Sequence, residues 1–133
     1  MSTGVKRRPE VPPRILVVDD DDEVRETLSE MLVAYGFEVV GDAGDGGEVA
    51  MLAERLSPDV VLMDLRMPTV DGITATRQLQ RIRPGLPVVI LSAYDDPGLR
   101  EAGMEAGVYC YLIKGCPPGL LRDVLLQAST TSY

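Results

Sequence analysis

No histidine occurs anywhere in the 133 residues. That single absence excludes a Ser-His-Asp triad, a Cys-His pair, zinc held through imidazole, and a phosphohistidine formed within this chain. Cysteine is nearly absent too. Cys110 and Cys116 are the whole supply; they flank the end of one expected strand and give no metal-binding spacing. The opening residues carry charge and proline but no apolar core of the secretory kind, so reduced thiols in a cytoplasmic setting are the expectation. No apolar run approaches the roughly 20 residues of a membrane span. Basic charge is in deficit: 13 Lys and Arg stand against 21 Asp and Glu, a formal net charge of −8. Such a balance argues against nucleic-acid binding by this chain itself.

What is present suits one domain. A hydrophobic fraction of 45% with 26% charged residues is ordinary for a globular chain, and this length buries about two-thirds of the unfolded surface. Residues 1–13, with the Lys6-Arg7-Arg8 cluster, read as a flexible, solvated lead-in, and residues 128–133 as a polar tail. Between them, short apolar runs alternate with helical spacing. Ile15–Val18 reads as a first buried strand, followed by a helix over Val24, Leu28, Met31, Leu32 and Tyr35 that Gly36 stops. Phe37–Val40 reads as a second strand. Asp45-Gly46-Gly47 turns into a helix with Val49, Ala50, Ala53 and Leu56 inward. Val60–Met63 is a third strand and Ile73–Ile82 a third helix, with Asp71 as its N-cap. Val88–Leu91 is a fourth strand, and Asp96-Pro97 opens a helix towards Ala106. Tyr109–Ile113 is a fifth strand. Pro117 starts the last helix, with Leu120, Leu121, Val124 and Leu125 inward. No sequence repeat is evident, although the strand-helix unit recurs five times. Alternation of this kind implies an α/β fold: a parallel sheet, doubly wound, with helices on both faces.

The stretch PDVVLMDLRMPTVDG, Pro58–Gly72, organises the rest. Its apolar run suits a strand buried on both faces and ends abruptly at Asp64, where open α/β sheets place their ligands. In that architecture the residues that follow strands one, three, four and five share one edge. Asp19, Asp20, Asp64, Ser92 and Lys114 therefore converge from distant parts of the chain. Three carboxylates in one crevice repel one another unless a cation joins them, and hard oxygen donors with room for water suit Mg²⁺. Lys114 adds a compact charge that meets phosphoryl oxygens, and Ser92 adds a hydroxyl. Together they form a station for phosphoryl transfer onto Asp64. Asp21 and Asp22 fit the plainer role of acids at a helix N-terminus.

With VVDD, MDLRMPTVDG, LSA and YLIKG in this order, the chain resembles the receiver domain of two-component response regulators over residues 14–127. The resemblance implies a flavodoxin-like sheet of order 2-1-3-4-5. It implies that Asp64 accepts a phosphoryl group from a sensor histidine kinase, and that Asp19, Asp20 and Asp64, with the carbonyl of Arg66, hold Mg²⁺. Lys114 would pair with the phosphoryl group and Ser92 would close onto it. The family's switch aromatic matches Tyr111, which by residue type alone is equally an edge-strand aromatic covering apolar surface. Two residues beyond Asp64 and Ser92 lie Arg66 and Tyr94, large enough to tune phosphoryl lifetime from the mouth of the site. Homodimerisation on phosphorylation is a further implication.

Gly115 stands where many receivers have proline. That departure, with the GDAGDGGEVA and YDDPG segments, resembles receivers of the NarL/LuxR type, which precede a DNA-binding domain. The expectation is therefore a fragment cut after a receiver whose output is transcription. The alternative is a stand-alone or phosphorylation-independent receiver acting as an interaction module. In either case the chain is not an enzyme beyond its own phosphorylation and dephosphorylation. A haloacid-dehalogenase-type phosphatase would place a second Asp where Arg66 stands. A flavin module would need a glycine- and hydroxyl-rich loop where four acids follow the first strand.

Overall fold

A computed structural model describes residues 11–131. Most of the expected lead-in, with Lys6-Arg7-Arg8, and the last two residues of the expected tail lie outside the described residues. Five strands form one sheet: β1 (Arg14–Val18), β2 (Glu38–Ala43), β3 (Val60–Asp64), β4 (Val88–Ser92) and β5 (Cys110–Ile113). The order is β2-β1-β3-β4-β5, and every pairing is parallel. Between and after them run α1 (Asp22–Ala34), α2 (Val49–Leu56), α3 (Gly72–Ile82), α4 (Pro97–Ala106) and α5 (Pro118–Ser129).

The helices divide the core in two. On one face Leu16, Val18, Val61, Met63, Val88 and Ile90 pack with residues of α2, α3 and α4. On the other, Ile15, Val17, Val60, Leu62, Val89 and Leu91 pack with Leu32 of α1 and Leu121 and Leu125 of α5. Alternate residues of one strand thus serve opposite layers, which is why β1, β3 and β4 read as unbroken apolar runs rather than as alternating ones.

Helix starts follow the local chemistry. Asp21 caps α1 by accepting the N–H groups of Glu23 and Val24, Asp71 caps α3 through Thr74, and Asp96 caps α4 through Leu99. Asp22 sits in the first turn of α1, where acids are favoured. Gly107 and Gly36 carry positive φ angles of 105° and 97° just past α4 and α1, a conformation glycine adopts without a Cβ penalty.

Three expectations need correction. β2 runs Glu38–Ala43 rather than Phe37–Val40, because β1 pairs it as far as Val18↔Ala43, with a register shift between Ile15 and Leu16. Long-range pairing overrides the poor strand propensity of Gly41-Asp42. Leu120 does not face inward. It is 44% exposed because Pro117 acts as N-cap and α5 begins at Pro118, placing Leu121 and Leu125, one turn apart, on the core side. In α2, Val49 and Ala53 are buried, whereas Ala50 and Leu56 are only half-buried.

Candidate functional site

The polar residues that end β1, β3, β4 and β5 meet at the C-terminal edge of the sheet. Asp19, Asp20 and Asp64 bring carboxylate oxygens within 4.8 Å of one another. Asp19 and Asp64 are buried, at 2% and 9% exposure, while Asp20 faces solvent. The Lys114 ammonium lies 3.3 Å from Asp19 Oδ2 and 3.3 Å from Asp64 Oδ1. Three acids against one lysine leave an excess of two negative charges when all are ionised. That excess matches a divalent cation, and the open side at Asp20 leaves room for its water ligands.

Electrostatics follow from this crowding. Burial pushes the Asp64 carboxyl above its ordinary range; the Asp19 charge adds to the rise, and together they outweigh Lys114 and the Leu65 N–H. Burial acts to lower Lys114, but the charges of Asp64 and Asp19 and its bonds to them prevail, so the ammonium is held above its usual value. An acid and a base shifted towards their protonated forms in one crevice mark a site strained for chemistry.

Each member is held by its own support. Asp19 Oδ1 accepts the Asp21 N–H at 2.9 Å, and the Asp19 N–H donates to Ala43 at 3.0 Å. Arg25, on α1, donates to the Asp19 carbonyl at 2.6 Å and forms ion pairs with Asp22 and Asp42. Asp64 Oδ1 accepts the Leu65 N–H at 2.8 Å. The Lys114 N–H donates to the Ser92 carbonyl at 2.7 Å, tying β5 to β4 beside the site. Gly72 is required here because a Cβ would collide with the Asp64 carbonyl.

The remaining expected residues are gathered around the β4–α4 loop. Ser92 is fully buried, and its hydroxyl is engaged within its own turn, accepting the Tyr94 N–H at 2.9 Å. Tyr111 is buried, with its ring inside the core and its hydroxyl donating to the Tyr94 carbonyl at 2.8 Å. It is thus bonded to the loop, not spread over apolar surface. Arg66 and Tyr94, both exposed, stack on each other, the guanidinium carbon 4.8 Å from the ring centroid.

Sequence reading passed over Asp45. Its carboxylate accepts the N–H groups of Gly47, Thr69 and Val70, joining the loop after β2 to the loop after β3. Those three bonds hold it below the usual carboxylate range, the Gly47 bond most strongly. Two of the partners lie 24 and 25 residues away, so no local pattern signals them. Arg25 and Arg100 were missed for the same reason.

The model of the response regulator receiver domain matches residues 15–126. The chain belongs to the receiver domain family. Among relatives, the transcriptional regulatory protein PdtaR of Mycobacterium tuberculosis is 43% identical over 104 residues, covering 78% of this receiver and 50% of that protein. LiaR of Bacillus subtilis, also a transcriptional regulatory protein, is 39% identical over 117 residues, 87% of this receiver and 56% of its own length. The receiver thus spans about half the length of the curated relatives it matches. Among solved structures, the NarL signal receiver domain of Mycobacterium tuberculosis superposes with a TM-score of 0.82 at 28% identity, covering 89% of this chain and 96% of that one. A LuxR-family regulator of Aurantimonas gives 0.85 at 30% identity, covering 90% and 86%. Among the described residues, no helix is long and apolar enough to cross a membrane.

Proposed function

We propose that this receiver accepts a phosphoryl group on Asp64 from the phosphohistidine of a sensor kinase, and that the acyl phosphate biases its conformation. One observation carries the reading: three carboxylates lie within 4.8 Å of one another, with Lys114 3.3 Å from two of them. Asp19, Asp20 and Asp64, with the Arg66 carbonyl, would hold Mg²⁺, which supplies positive charge against the phosphoryl oxygens. The donor set fits that ion, being all oxygen, carrying excess negative charge and open on one side. An Asp64 oxygen attacks phosphorus in line, an O–P bond forms, and the P–N bond breaks with its electron pair going to the kinase imidazole. Lys114 then exchanges one carboxylate for a phosphoryl oxygen. Ser92 leaves the Tyr94 N–H to donate to another, and Tyr111 follows the loop it is bonded to.

Catalysis is confined to this self-modification and its reversal. The stacked Arg66 and Tyr94 stand as a pair at the mouth of the site and slow the hydrolytic water. The receiver body is residues 14–127, preceded by the lead-in 1–13 and followed by the tail 128–133. In a longer protein its output is transcription, matching the printed names of its relatives, with phosphorylation-driven homodimerisation as the means and the cytoplasm as the setting.

Incubation with a small phosphodonor and Mg²⁺ should add one phosphoryl mass to wild type and none to Asp64→Asn. Modification that persists in Asp64→Asn, or without divalent metal, overturns the assignment. Sedimentation with beryllofluoride tests dimerisation, and an unchanged monomer at high concentration removes it.

A further inference from the structure

The loop between β4 and α4 is fastened to β5 by a closed circuit of contacts that runs through one arginine. Arg100, in the first turn of α4, lays its guanidinium over the Tyr111 ring, 4.9 Å from the centroid. One of its nitrogens donates to the Tyr111 carbonyl at 3.1 Å, and another meets Asp95 Oδ1 at 3.1 Å. Tyr111 closes the circuit through its hydroxyl, which donates to the Tyr94 carbonyl at 2.8 Å. The same Tyr94 gives its N–H to Ser92 Oγ at 2.9 Å. Gly103, one turn further along α4, lacks the Cβ that would stand against the Tyr111 ring. Arg100 and Gly103 therefore seat the ring from one helix.

The contacts differ in weight. The pair with Asp95 is exposed on both sides and contributes little by itself. The ring contact and the carbonyl bond act on a residue that is 4% exposed, where a cation over an aromatic face and a charged donor are both worth more. Arg100 thus acts mainly on where Tyr111 sits, and through the Tyr111 hydroxyl on the turn that carries Ser92.

We propose that Arg100 is a positioning residue: by seating Tyr111 it draws the Ser92–Tyr94 turn towards β5 and presets the Ser92 hydroxyl for the phosphoryl group. The proposal rests on Asp64 as the phosphoacceptor. Arg100 touches neither the acids nor Lys114, so its effect falls on the phosphoryl step and not on metal binding.

The test uses the full chain as wild type, Arg100→Ala, Arg100→Lys, Tyr111→Phe and the double variant Arg100→Ala/Tyr111→Phe. Calorimetry gives Mg²⁺ affinity, fluorine NMR gives beryllofluoride affinity at saturating Mg²⁺, and hydrogen exchange follows the Tyr94 amide without ligands. Arg100→Ala should weaken beryllofluoride by roughly five- to tenfold with Mg²⁺ affinity unchanged. It should also speed exchange at Tyr94. Arg100→Lys, which keeps the charge but loses the planar fork, should recover only part of the loss. The double variant should be little worse than the poorer single one, because both act through one ring. Wild-type values in Arg100→Ala for both beryllofluoride and exchange overturn the proposal while leaving the phosphoacceptor reading intact. A parallel fall in Mg²⁺ affinity also overturns it, since Arg100 would then merely support the whole edge. If wild type binds Mg²⁺ but no beryllofluoride, the phosphoacceptor reading fails and the proposal falls with it.

Discussion

Replacing Asp45 by alanine removes a carboxylate that no transferring group would touch, yet it should damage both stability and the metal site. Three backbone N–H groups lose their acceptor: Gly47 at 2.8 Å, Thr69 at 2.9 Å and Val70 at 3.2 Å. Loss of the cap on the short 3₁₀ turn 46–48 costs about 1 kcal/mol. The two bonds across to the loop after β3 are charge-assisted but partly open to water, and together they contribute about 1–2 kcal/mol. The expected loss is about 2–3 kcal/mol, or roughly 10 °C in Tm for a domain of this size. Some of the junction survives, because the Gly46 N–H still donates to the Val70 carbonyl at 3.1 Å. Asp45→Asn keeps an acceptor oxygen and should lose about half as much.

The pH dependence separates charge from shape. The Asp45 carboxyl is depressed from an ordinary value of 3.8, so the unfolded chain binds its proton more readily than the folded one. Its stabilisation is complete above that ordinary value and is lost as pH falls through the depressed folded value. The gap between wild type and Asp45→Ala should therefore narrow on strong acidification. Urea unfolding at neutral and acidic pH measures both quantities. Mg²⁺ affinity should fall as well, since the loop held by Asp45 carries Arg66. A neutral-pH difference under about 0.5 kcal/mol, the size of an ordinary surface change, refutes the reasoning.

Asp64→Asn should stabilise the metal-free protein by about 1–2 kcal/mol, because it removes a buried like charge whose repulsion at 4.8 Å is about 3.5 kcal/mol at an effective dielectric of 20, partly offset by Lys114. A lower unfolding midpoint in that variant contradicts this. Dephosphorylation should quicken in the series Arg66→Ala, Tyr94→Ala and the double variant, the last at least as fast as either single; a double variant no faster than wild type removes the shielding role. Leu125→Ala, at a fully buried position, should cost about 2–5 kcal/mol, whereas Leu120→Ala should cost under about 1 kcal/mol. Equal losses in urea unfolding would return Leu120 to the core.

The sequence by itself determined the strand-helix alternation, because strands buried on both faces must be continuously apolar and helix starts need an acid or hydroxyl that accepts orphan N–H groups. Val60–Met63, Val88–Leu91 and the caps Asp21, Asp71 and Asp96 were legible for that reason. It also determined that acids, a serine and a lysine follow the strands, and parallel topology alone then sends them to one edge. Other features were decided only by tertiary structure. The extent of β2 depends on pairing with β1, not on the propensity of Gly41-Asp42. The outward turn of Leu120 depends on one residue of helix phase at Pro117, which no periodicity fixes over so short a segment. Asp45, Arg25 and Arg100 find their partners across loops and neighbouring strands, and a side chain's charge shows that it needs a partner without showing which. The seat of Tyr111 is of the same kind: its aromatic character promised burial, but only the packing of α4 against β5 put a guanidinium over its ring and its hydroxyl on the Tyr94 carbonyl.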